Sequence, residues 1–275
     1  MMRRVGGFFC FCTLRMEILP MTHPKTKGHI ALVGAGPGAR DLLTLRALER
    51  IRAADVLLYD RLVDPEIMEL ARPGAERIYV GKDVGACKWP QGRIDRLIVA
   101  KARLGLRVVR LKSGDPSIFG RACEEIAAAR AAGIEVEIVP GITAASAAAA
   151  SIGRPLTERG ETDTFVITTG TCKPGDAAPD RARLAHPGTS MAFYMAVERA
   201  AQVQADLMGA GAPAACPVEI VTRASTPEER HVATTLGALS ETIAAEGIAN
   251  PAILFIRYPK SLARALAGTG AVIAA

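Results

Sequence analysis

No run of 18 or more apolar residues occurs in this 275-residue chain, so no segment reads as a membrane span. The six cysteines, Cys10, Cys12, Cys87, Cys123, Cys172 and Cys216, include no C-x-x-C pair. Neither a zinc site nor a dithiol redox motif is indicated. Scattered thiols suit a reducing compartment, and a cytoplasmic location without a metal cofactor is expected. A strong basic bias is also missing. Of the net charge of +6, residues 1–27 supply about +4, through Arg3, Arg4, Arg15, Lys25 and Lys27 against Glu17 alone. The remainder is too nearly neutral to predict a nucleic-acid partner. No A-x-A site follows the short apolar stretch Phe8–Cys12, and Gly6 and Gly7 interrupt it, which argues against a secretory signal. Met16 and Met21 offer later starts. Residues 1–27 are therefore expected to be a disordered or artefactual extension. No internal repeat is present.

What is present is an apolar content of 49%, enough for folded α/β domains. In the first half, strand patterns at 29–33, 56–59, 77–80, 107–111 and 135–139 alternate with helical stripes at 42–53, 91–104, 120–132 and 143–151. Strands separated by helices need crossovers, so the first sheet should be mainly parallel. After a linker at Arg154-Pro155-Leu156, strand signals return at 164–168, 191–194, 218–222, 231–235 and 252–256, with helices at 200–208 and 238–246. Residues 171–188 read as an exposed loop. The expected organisation is an α/β domain over 28–153, with a mainly parallel five-stranded sheet. A second α/β domain with a mixed sheet follows over 154–262, then a flexible tail over 263–275.

Three loops carry the chemistry. Gly34-Ala35-Gly36-Pro37-Gly38 follows the first strand. Its glycines are two apart, unlike the G-x-G-x-x-G of a dinucleotide site, and no G-K-[ST] follows, so it is not a phosphate loop. Pro37 removes an N–H that a pyrophosphate would use. The loop is either a tight turn or a place where a ligand packs against bare backbone. Ser113-Gly114-Asp115-Pro116 follows the fourth strand, where Gly114 permits close approach and Asp115 offers a carboxylate to an ammonium or ribose hydroxyl. Capping of the next helix is the alternative role for Asp115. Pro140-Gly141-Ile142-Thr143-Ala144 follows the fifth strand, with Thr143 placed to N-cap a helix. All three should lie at the carboxyl edge of the sheet, where open parallel sheets bind ligands.

In order and spacing, these loops resemble the tetrapyrrole methylase family. The elements that carry the likeness are GAGPG at 34–38, LLTLRALERIRAADVLLYDRLV at 42–63, VGK at 80–82 and WPQ at 89–91. RVVRLKSGDPSIFGR at 107–121, VPGITAASAAAA at 139–150, FYMA at 193–196 and NPAILFI at 250–256 continue it. YDRLV and WPQ resemble the members that methylate uroporphyrinogen III at carbon. The resemblance implies two α/β domains with S-adenosylmethionine between them, a homodimer, and transfer of methyl groups to C2 and C7 of uroporphyrinogen III to give precorrin-2. It places cofactor contacts on Pro37, Ser113, Gly114, Asp115, Ile118, Thr143, Ala144, Met195 and Ala224. It places acid–base roles on Asp60 and Lys82. The substrate is octa-anionic, and Arg110, Lys112 and Arg121 flank the cofactor loop as expected carboxylate contacts. A salt bridge to Arg61 is the alternative for Asp60, and a solvated surface charge the alternative for Lys82.

The chain departs from the family pattern at Ser113, where glycine is usual. It departs again in Leu156-Thr157-Glu158-Arg159-Gly160, where the family has L-T-H-R-D, at Thr171, which replaces the histidine of T-G-H, and at Ala196, which replaces the glycine of Y-M-G. These changes lie mainly in the second half and bear on the substrate more than on the cofactor. No dehydrogenase and chelatase module of the fused sirohaem synthases is present in the sequence, so methylation alone is expected of it. The competing readings are a methylase of a later tetrapyrrole, a silent S-adenosylmethionine-binding homologue, and, disfavoured by the glycine spacing, a nicotinamide dehydrogenase.

Overall fold

A computed structural model describes residues 28–81, 89–172, 175 and 179–273. The first half forms a sheet of five parallel strands: β1 (His29–Gly34), β2 (Val56–Tyr59), β3 (Glu76–Tyr79), β4 (Arg107–Lys112) and β5 (Glu135–Val139), in the spatial order β3-β2-β4-β1-β5. Successive side chains of a strand point to opposite faces, and both faces here are covered. Ala31 and Val33 of β1 pack with Ile51 of α1 (Leu45–Ala53) and Ile67 of α2 (Pro65–Glu69). Ile30 and Leu32 pack with Ile94 and Ile98 of α3 (Gln91–Arg103) and Ala129 of α4 (Ala122–Ala131).

Local chemistry sets where these helices begin. The helix expected from residue 42 is interrupted. A 3-10 turn covers Arg40–Leu42, and α1 starts anew behind Thr44, whose hydroxyl accepts the Ala47 N–H at 3.1 Å. The short helix α2 lies in a stretch with no expected element. Asp64 caps it through the Glu66 N–H at 2.8 Å, and Pro65 occupies its first turn.

The second half forms a mixed sheet of β6 (Thr164–Thr169), β7 (Thr189–Tyr194), β8 (Pro217–Thr222), β9 (Arg230–Thr235) and β10 (Ala252–Tyr258). The order is β6-β7-β10-β8-β9, with β6 and β7 parallel and the other pairs antiparallel. One face carries Met191, Phe193, Ile220, Leu254 and Ile256. It packs on Val203 and Leu207 of α6 (Ala200–Gly209) and Leu239 of α7 (Leu239–Ala245). The other face presents Ala192, Val221, Ile253 and Phe255 to Ala145, Ala148 and Ala149 of α5 (Ala144–Ser151). The helix expected to close the first half thus contributes its apolar face to the second sheet.

Two further differences follow from packing. In place of the tail expected from residue 263, α8 (Lys260–Ile273) forms, with Leu262 and Ala263 against the second core. The stretch expected as one exposed loop over 171–188 contains a 3-10 turn, Arg181–Leu184. Within it Arg181 is buried, paired with Asp206 at 2.6 Å and donating to the Gly170 carbonyl at 3.0 Å. Among the described residues no helix is long and apolar enough to cross a membrane.

Candidate active site

The three glycine-bearing loops meet backbone to backbone at the carboxyl edge of the parallel sheet. Gly36 and Gly114 exchange hydrogen bonds, with Gly114 N–H donating to the Gly36 carbonyl at 2.6 Å and Gly36 N–H to the Gly114 carbonyl at 3.2 Å. A Cβ on Gly34 would stand 2.6 Å from the Gly141 Cα, and one on Gly141 only 2.2 Å from the Gly114 oxygen. No side chain fits at that junction, which is why the loops carry glycine there.

Asp115 fastens the arrangement. One carboxylate oxygen accepts the Gly141 N–H at 2.9 Å, and the other accepts the Ser117 N–H at 2.7 Å and the Ser117 hydroxyl. Partial burial pushes the carboxyl upward. The hydrogen bonds from Ser117 and Gly141 outweigh that and hold it below the usual carboxylate range. Asp115 does not cap α4, whose N-cap position is taken by Arg121 in the left-handed conformation.

The start of α5 is completed from the other domain. Thr143 occupies the N-cap position, but its hydroxyl does not cap the helix. It lies 2.5 Å from the Tyr194 hydroxyl, whose oxygen accepts the Ala145 N–H at 2.8 Å. A tyrosine on β7 therefore does the capping that the sequence assigns to Thr143. Phe119 stacks at a tilt on Tyr194, ring centroids 5.4 Å apart.

Between the domains lies a cleft of about 590 Å³, within the usual range for small-molecule sites. All nine residues expected to touch the cofactor line it. The first loop supplies Pro37. The second supplies Ser113, Gly114, Asp115 and Ile118. Thr143 and Ala144 stand at the head of α5, Met195 follows β7 and Ala224 follows β8. Tyr194, Phe119, Arg61 and Arg223 also line the wall, positions to which the sequence assigns no role there. Among the described residues, five non-glycine residues adopt positive φ: Phe119, Arg121, Met195, Arg223 and Ser225. Three of them line the cleft and the other two lie within two residues of its wall. Backbone held in this region costs about 1–3 kcal/mol and concentrates at functional sites.

The expected carboxylate contacts are placed differently. Arg110 and Lys112 do not line the cleft; both are buried. They sit on the face of a central strand covered by α3 and α4, where Glu125 meets them. Arg110 Nε lies 3.2 Å from one Glu125 oxygen and Lys112 Nζ 2.8 Å from the other. Burial, then the neighbouring Arg110 charge, lowers the Lys112 pKa. Arg121 is off the wall too, paired with Glu124 at 2.6 Å. Among the described residues, the basic ones that do line the cleft are Arg61 and Arg223.

Asp60 follows β2, one residue before the cleft wall at Arg61. Its carboxylate accepts from Arg110 at 3.3 Å and from the Leu62 N–H at 3.2 Å. Arg110, and not Arg61, is its ionic partner. Lys82 lies outside the described residues.

Residues 29–240 match the tetrapyrrole (corrin/porphyrin) methylases. The chain belongs to that family. Among curated relatives, the siroheme synthase of Chromobacterium violaceum is 46% identical over 229 residues, covering 83% of this chain and 49% of that protein. The siroheme synthase of Azotobacter vinelandii is 45% identical over 233 residues, covering 85% and 50%. The chain spans about half the length of the curated relatives it matches. Among solved structures, a uroporphyrin-III C-methyltransferase from Thermus thermophilus, complexed with S-adenosylhomocysteine, is 39% identical. That alignment has a TM-score of 0.70 and covers 84% of this chain and 97% of that one. A cobalt precorrin-4 methyltransferase superposes with a TM-score of 0.77 at 26% identity, covering 86% and 98%. The two-domain methylase architecture is therefore shared along nearly the full length of these enzymes.

Proposed function

We propose that this methylase transfers methyl groups from S-adenosylmethionine to C2 and C7 of uroporphyrinogen III, giving precorrin-2. The observation that carries the proposal is the cleft. Nine residues from five separate stretches of sequence line one cavity between the domains, around three loops packed too tightly for any side chain at their junction. The likeness to a uroporphyrin-III C-methyltransferase that binds S-adenosylhomocysteine supports both the cofactor and the substrate.

The wall suits the cofactor. Ser113 and the first residues of α5 offer backbone groups, while Ile118, Ala144, Met195 and Ala224 offer apolar surface, the combination that holds an adenine and ribose without charged side chains. S-adenosylmethionine supplies a methyl group activated on its sulfonium. The protein aligns that methyl with the pyrrole carbon, and alignment alone supplies a large part of such a barrier reduction. Methylation at a ring carbon leaves a proton to be lost, and we assign its removal to Asp60, with Lys82 binding or protonating the substrate nearby. The reading uses no metal, and places the enzyme in the cytoplasm as a homodimer.

Anaerobic incubation with uroporphyrinogen III and methyl-labelled S-adenosylmethionine tests it, with the product analysed by mass. Gain of two labelled methyl groups is expected. Methylation only of a later corrinoid intermediate would replace this substrate with that one.

A further inference from the structure

With Arg110, Lys112 and Arg121 committed elsewhere, an octa-anionic substrate needs other cations. We propose that Arg61 and Arg223, one from each domain, form a two-sided clamp for its carboxylates at the mouth of the cleft. The inference rests on the substrate proposed above.

Arg61 and Arg223 are the only basic residues among the described residues that line the cleft. Both are exposed. Neither side chain has an ion pair or hydrogen bond among the described residues. In contrast, the other cations of this region, Arg110, Lys112 and Arg121, all have acidic partners. Because Asp60 is held by Arg110, the acidic neighbour of Arg61 in sequence is already taken.

The backbones of both arginines are fixed while their head groups are free. Asp60 pins the turn that carries Arg61, its side chain accepting the Leu62 N–H and its carbonyl the Val63 N–H at 3.3 Å. Arg223 donates its N–H to the Pro251 carbonyl at 2.9 Å and accepts from the Thr226 N–H and hydroxyl at 3.1 and 2.9 Å. It is held at φ 48°, a strained conformation for a residue with a long side chain. Anchoring of this kind reduces the ordering cost of binding, and a guanidinium presents two donors matched to a carboxylate.

The acidic wall residues do not compete for the clamp. Asp64 accepts the Glu66 N–H, Asp115 accepts the Ser117 and Gly141 N–H groups, and Glu228 is exposed to water.

The test separates binding from turnover. Quenching of uroporphyrin III fluorescence by protein saturated with S-adenosylhomocysteine reports binding. In R61Q/R223Q the dissociation constant should rise about tenfold or more, the size expected for losing charge-assisted hydrogen bonds discounted for solvent. Its dependence on salt should flatten. Coproporphyrin III, which lacks the acetate carboxylates, should lose less. R61K/R223K should retain most of the binding. S-adenosylhomocysteine affinity, read by calorimetry, should be unchanged in both variants. Uroporphyrin III affinity within twofold of the native chain in R61Q/R223Q, with the native salt dependence, would overturn the clamp. A native chain that shows the charge-dependent binding but transfers no methyl group to uroporphyrinogen III supports the clamp and overturns the reaction proposed above.

Discussion

Asp115 joins two loops with one carboxylate, and its effect on the cofactor should run through that junction. Asp115→Ala frees the Gly141 and Ser117 N–H groups and should weaken S-adenosylhomocysteine binding by about 1–3 kcal/mol, measured by calorimetry. Its folded-state pKa is depressed. The stability it contributes is therefore present above the unfolded carboxylate pKa of about 4 and is lost as pH falls through the folded value. Acid unfolding of Asp115→Asn followed by circular dichroism should show a shallower fall over that interval than the native chain. Asp60 gives a second residue-scale expectation. Asp60→Asn should lower turnover about 10²–10⁴-fold, the worth of a general base, with cofactor affinity nearly unchanged. Near-native turnover would remove the base assignment. Glycine spacing marked the three loops, but the nine wall positions, Met195 and Ala224 among them, came from the resemblance to the methylase family, which carries residues far apart in sequence to one cleft. The burial of Arg110 and Lys112 was not readable. Which face of a central strand a cation occupies, and whether a carboxylate such as Glu125 waits there, depends on helix packing 13–15 residues away.

At the scale of elements, strands were the most readable because short apolar runs between turns mark them. The five strands of each sheet fall where the sequence places them, to within a residue or two at the ends. Helices without a clear period were missed. At five residues, α2 is too short to show a stripe, and the glycines at 268 and 270 hid α8. The cap of α5 was hidden for another reason, since its acceptor, Tyr194, lies 51 residues from Thr143. Tyr194→Phe removes that acceptor while keeping the ring against Phe119. It should cost about 0.5–2 kcal/mol, the range for a lost N-cap, seen as a lower denaturant midpoint. An unchanged midpoint would mean that water replaces the hydroxyl. Gly141→Ala acts at the junction of the loops. Its Cβ would collide with the Gly114 carbonyl, a backbone atom that cannot swing away. Cofactor affinity should fall at least tenfold in calorimetry, through displacement of the loops and not through any lost contact.

At the scale of the whole molecule, the cleft is lined from both domains, so a cofactor bound in it should stabilise them as one unit. S-adenosylhomocysteine at 100 times its dissociation constant should add about 2.7 kcal/mol to unfolding, raising the melting temperature of a single transition. NAD should leave it unmoved. A rise with NAD instead would revive the dehydrogenase reading.

The sharing of α5 has a consequence for how such a protein can be divided. Its first five strands and its second five look like two pieces that a gene could carry separately. A cut after Ser151, however, leaves Ala145, Ala148 and Ala149 facing water on one fragment and Val221, Ile253 and Phe255 uncovered on the other. The Tyr194 hydroxyl would also lose the helix it caps. Recombination has no harmless breakpoint at that seam, and a fragment screen should recover soluble protein only from inserts that cross it. Grafted into a larger polypeptide, the methylase must travel as a single cassette.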